Sequence, residues 1–151
     1  MLRRNLMGAA ALLCLAPLAG FGQDREARKA RRTIANVLSE FGEENQGYQR
    51  ELKYFARVAP SRELSEIHAR LIGQAAQMRK LEVAGPGSGP AILELAREMT
   101  RTAGELDVAT TRFEKRAEAV SSRKDREVAA RMKHHSDRMV TVLKELIAMF
   151  R

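Results

Sequence analysis

From Val128 to Met149 the chain places Val128, Met132, His135, Met139, Val142, Leu146 and Met149 at steps of 4-3-4-3-4-3 without an exception. That spacing puts all seven on one stripe of an α-helix, and it rules out a strand, whose buried face would need alternation. Val140, Leu143, Ile147 and Phe150 widen the stripe, so it must bury against several neighbours, as in a bundle.

Two earlier segments repeat the device. Leu64, Ile67, Leu71, Gln74, Met78 and Leu81 form one stripe, and Ile92, Leu95, Met99, Thr102, Leu106, Ala109, Phe113 and Val120 form another. The breaks between them are chemical. Ala59-Pro60-Ser61 ends one segment, with Glu63 suited to the next helix's first turn, and Gly85-Pro86-Gly87-Ser88-Gly89-Pro90 ends the following one. The first segment is less regular. Ile34, Val37, Leu38 and Phe41 precede Gly42 to Gly47, and Tyr48, Leu52 and Phe55 follow it. Two glycines in a helix interior cost about 1 kcal/mol each relative to alanine, which predicts a kink or break over 42–47.

The boundary between the last two segments rests on Ser122 and Asp125, which resemble a capping box. These readings give an all-α fold, an antiparallel four-helix bundle of up-down-up-down order, with helices over about 24–58, 61–84, 90–121 and 123–150 of a domain spanning 23–151. The alternative is a three-helix arrangement in which residues 90–150 form one long coiled-coil helix, roughly 90 Å in length and in need of a partner.

Ahead of this domain, residues 1–22 read as a cleavable export signal: Arg3 and Arg4, the apolar run Leu6 to Leu15, and Gly20-Phe21-Gly22 before Gln23. The apolar stretch to Ala19 is about 14 residues, short of the roughly 20 that span a bilayer. A Sec signal is favoured, with Arg3-Arg4-Asn5-Leu6-Met7 keeping a twin-arginine route as the alternative. The protein is therefore expected to be periplasmic or secreted.

Export changes how the composition is read. The one cysteine, Cys14, lies in the signal, so the mature chain has no disulfide, zinc-thiolate or thiol nucleophile. The net charge of +8 falls to +6 without Arg3 and Arg4, and with two Tyr, five Phe and no Trp the chain offers no stacking platform for nucleic acid. An anionic envelope surface or another envelope protein is the partner such a surplus suits. Arg25, Arg28, Lys29, Arg31 and Arg32 concentrate it where cations oppose the helix macrodipole, so helix stability does not explain them.

No phosphate loop, zinc-protease motif, nucleophile elbow or isolated carboxylate pair marks an enzyme. The unusual cluster is Met132, His135 and Met139, which share a helix face and could ligate copper or haem. His68 joins them, because counting back about 25 Å and about 23 Å from the ends of the second and fourth helices puts His68 and His135 at nearly one level. The helix pattern resembles that of periplasmic four-helix-bundle cytochromes of the b and prime types. The resemblance stops there: the chain has no C-x-x-C-H attachment motif and no methionine near the start of its first mature helix.

The reading that follows is an exported, non-enzymatic helical-bundle protein of the cell envelope, an adaptor or chaperone-like accessory that needs no cofactor. A periplasmic haem- or copper-binding bundle is the alternative from another class, and a homo-oligomer is left open.

Overall fold

A computed structural model describes residues 33–120 and 122–151. The export signal and Arg25, Arg28, Lys29, Arg31 and Arg32 lie outside the described residues, as does the expected helix before residue 33. Among the described residues there are four α-helices and no strand: α1 (Ile34–Val58), α2 (Arg62–Val83), α3 (Gly89–Val120) and α4 (Arg123–Ala148), with a 3-10 turn over Pro86–Ser88.

Each boundary has a local cause. Ser61 Oγ accepts a hydrogen bond from the Leu64 amide at 3.3 Å and caps α2. Gly85 at φ 94° supplies the left-handed residue that turns the chain after α2, and Ser88 Oγ donates to the carbonyl of Leu81 at 2.8 Å to hold that turn. Ser122 Oγ accepts from the Asp125 amide at 3.2 Å and starts α4. This cap overturns the long-helix alternative: α3 and α4 are separate helices.

The expected break at 42–47 is also absent, because α1 runs unbroken through both glycines. The buried stripe explains it. Phe41, Glu44 and Tyr48 keep the 3-4 spacing across the glycines, so one face of α1 turns continuously inward. Met149, expected on the α4 stripe, is 41% exposed because the helix ends at Ala148.

Cross-helix pairs define direction. Arg131 with Glu51 and Arg138 with Glu40 run α1 against α4, and Arg70 with Glu105 and Arg112 with Glu63 run α2 against α3. Gly89 lies beside the Phe150 ring while Lys133 meets Asp107, so α3 and α4 are antiparallel too. α4 packs closely on α3 and α1, α3 packs on α2, and the α1–α2 seam is by far the least packed of the four.

The shared core is filled by Phe41, Phe55, Leu71, Leu106 and Leu146 among others, with Met78, Met99, Met132 and Met139 all fully buried. Methionine's flexible thioether suits the irregular gaps where four helices meet. Among the described residues no helix is long and apolar enough to cross a membrane.

Candidate functional site

Polar residues enter the core in one layer midway along the helices. On α1 the layer is Glu44, Asn45 and Tyr48; on α2 it is His68; on α3 Asp107 and Thr110; on α4 Lys133, His135 and Ser136. Burial removes water from these groups, so each must find a partner within the protein. They do. His135 Nδ1 donates to Glu44 Oε2 at 2.7 Å, His68 Nε2 bonds Asn45 Oδ1 at 2.7 Å, and the Tyr48 and Thr110 hydroxyls pair at 2.9 Å. Lys133 Nζ and Ser136 Oγ both donate to Asp107 Oδ1, at 2.7 and 2.6 Å.

The electrostatics follow from that packing. Burial alone would push the Asp107 carboxyl up, but the hydrogen bonds from Lys133 and Ser136 outweigh it and hold the group below the usual carboxylate value. Burial likewise pulls Lys133 down, and its hydrogen bonds to Asp107 and Asp137 reverse the sign. His68 has no such compensation, so desolvation lowers it from 6.5, and burial pushes the Tyr48 hydroxyl well above 10. The layer is thus a set of satisfied pairs in which burial favours the neutral form of the His68 imidazole.

The four residues considered for haem or copper separate in the structure. His68 and His135 do lie at one level, and both are engaged with the same stretch of α1: His68 through Asn45 and the Tyr48 ring at 5.1 Å, His135 through Glu44 and Gly47. Tyr48, fully buried, reaches across to Thr110 of α3 and fills the centre at that level. Met132 and Met139 share the His135 face of α4 but are fully buried and lie about 10 Å apart along the helix. Among the described residues no three His, Cys, Asp or Glu side chains group as a metal site.

Sequence reasoning missed the role of Gly47. A Cβ on Gly47 would lie 2.8 Å from Nδ1 of His135 and closer still to its Cε1 and Nε2, so the glycine makes room for the imidazole. It also missed two surface features. One is a basic end, built where the α1–α2 turn meets the α3–α4 turn. There Arg50, Arg57, Lys115, Arg116 and Arg126 are exposed and make no ion pair among the described residues, while Glu51, Glu63, Glu66 and Glu127 are taken by Arg131, Arg112, Arg62 and Arg123. Asp125 at this end accepts from the Tyr54 hydroxyl at 2.6 Å, and Lys124 lies over the Tyr54 ring at 5.5 Å. The other is the open α1–α2 seam, with clefts of about 300 and about 400 Å³ along it.

Compared with known proteins, the chain matches no family model, no curated protein and no solved structure.

Proposed function

We propose that the protein is an exported, non-enzymatic accessory protein of the cell envelope, an antiparallel up-down-up-down four-helix bundle that holds an anionic partner, an acidic protein surface, through its basic end. The observation that carries this is the distribution of charge left over after internal pairing. At the basic end the surplus is cationic. At the opposite end, among the described residues, Glu43, Glu82, Glu94 and Glu98 stand without an ion pair against Arg79, Lys80, Arg97, Arg101, Lys144 and Arg151, so most of the cationic charge there is offset and the surplus is smaller.

Helix stability does not account for the surplus. Cations near the C-terminal ends of α1 and α3, such as Arg57, Lys115 and Arg116, complement the macrodipole, but Lys124 and Arg126 sit in the first turns of α4, where positive charge opposes it. A charged partner gives them a use. Reading residues 1–22 as an export signal favours an envelope partner, and the satisfied polar layer supports a structural rather than catalytic use of the buried histidines.

Affinity capture from an envelope extract tests the reading. Residues 23–151 should retain an acidic protein that a variant carrying Arg57→Gln, Lys115→Gln, Arg116→Gln and Arg126→Gln does not. Equal retention by both, or retention only of anionic lipid vesicles, would overturn it.

A further inference from the structure

The α1–α2 seam stays open in the single chain, and its two clefts lie on one face. The first is lined by Leu52, Ala56, Ala69 and Ile72, with Lys53 its one formally charged side chain. The second, nearer the start of α1, is lined by Leu38 and Gly42 and carries Glu43, Glu82 and Arg79, a net charge of −1. Ile72, on the first cleft toward the middle of the seam, is 38% exposed. Lys53, Glu43, Glu82 and Arg79 make no ion pair within the described chain.

We propose that a second copy of the chain covers this seam, related to the first by a two-fold axis perpendicular to α1 and α2 near Ile72. That operation lays the cleft of Lys53 over the partner's cleft of Glu43 and Glu82, twice, and brings Ile72 against its own counterpart. Such a surface is self-complementary, as an isologous contact must be. The other way of stacking two seams, with the helices of both copies pointing the same way, sets like charge on like charge and is disfavoured. The size is adequate. α1 is about 37 Å long at ~1.5 Å per residue, and two adjacent helices are about 18 Å wide, giving about 650 Å² per copy. Specific interfaces bury roughly 800 Å² per partner, and about 1,000 Å² in total is enough.

The dimer goes beyond the partner reading and, although its first cleft reaches Pro60 and Ser61 of the α1–α2 turn, it rests on Lys53, Ile72, Glu43 and Glu82 and not on Arg57, Lys115, Arg116 or Arg126, so either can fail alone. Residues 23–151 should sediment as a dimer that dissociates on dilution. Lys53→Glu should weaken it at least ~10-fold, and adding Glu43→Lys and Glu82→Lys to the same chain should restore it, with helix content unchanged throughout. Rescue by the compensating swap is a result that general destabilisation cannot produce. Three outcomes would overturn the proposal: a monomer at all concentrations, a dimer indifferent to both Lys53→Glu and Ile72→Glu, or a monomer that dimerises only when residues 23–32 are removed, which would make that segment the occupant.

Discussion

Glu44 on α1 accepts a hydrogen bond from Nδ1 of His135 on α4 at 2.7 Å, one helical turn from Gly47, whose missing Cβ leaves the space the imidazole fills. Both residues sit at positions of their helices' inward stripes that would otherwise be apolar. Their pairing turns two conflicts with the apolar pattern into one satisfied contact, and it aligns α1 with α4.

Gly47→Ala should therefore destabilise the protein, although alanine is the better helix former by ~1 kcal/mol. The clash with the His135 ring outweighs propensity, for an expected net loss of about 1–3 kcal/mol. Gly104→Ala is the control: a Cβ there meets nothing within 4 Å, so the substitution should be stabilising by up to ~1 kcal/mol. Urea unfolding of the two variants checks both signs.

Asp107→Asn should cost about 1–3 kcal/mol, since it removes a charged acceptor from Lys133 and Ser136 while leaving Lys133 partly buried. The pH dependence has a definite sign. The folded-state value lies below 3.8, so the unfolded chain binds the proton more readily. The stabilisation is fully present above the ordinary carboxylate range and is lost as pH falls through the folded value. Acid unfolding of Asp107→Asn should lack that part of the transition.

His68 gives a second pH limb. Its folded value is lowered below 6.5 by burial, so protonation favours the unfolded chain. Stability should fall as pH drops below about 6.5, and His68→Gln should flatten the curve between about pH 7 and about pH 5. Thermal melts across that range measure it.

Adding haem or copper to purified residues 23–151 should leave the visible spectrum and the melting temperature unchanged. His68 and His135 each already hold a partner on α1, and Met132 and Met139 are fully buried. A new absorption band lost on His135→Ala would show that the imidazole is free to ligate.

Much of the helical architecture was legible in the stripes, because 3-4 spacing reports directly which face of a helix is buried. Ser122 with Asp125 marked the start of α4, and helix lengths alone placed His68 level with His135. The misreading at 42–47 came from weighing glycine only by its intrinsic helix cost. The signal against a break was there: Glu44 holds the stripe's phase between Phe41 and Tyr48. What Gly47 admits was not legible, since the ring belongs to a residue 88 positions away and depends on the register of α1 against α4. The basic end was hidden for the same reason. Its surplus appears only after Glu51, Glu63, Glu66 and Glu127 are seen to be taken by arginines, two of those pairs joining different helices.

The account turns on which end of the molecule meets the partner, and zero-length carbodiimide coupling in an envelope extract reads that directly, because it joins lysine only to a carboxylate in contact with it. Mass spectrometry should locate the links to an acidic partner at Lys115 and Lys124. Links confined to Lys80 and Lys144, on the opposite end, would contradict it.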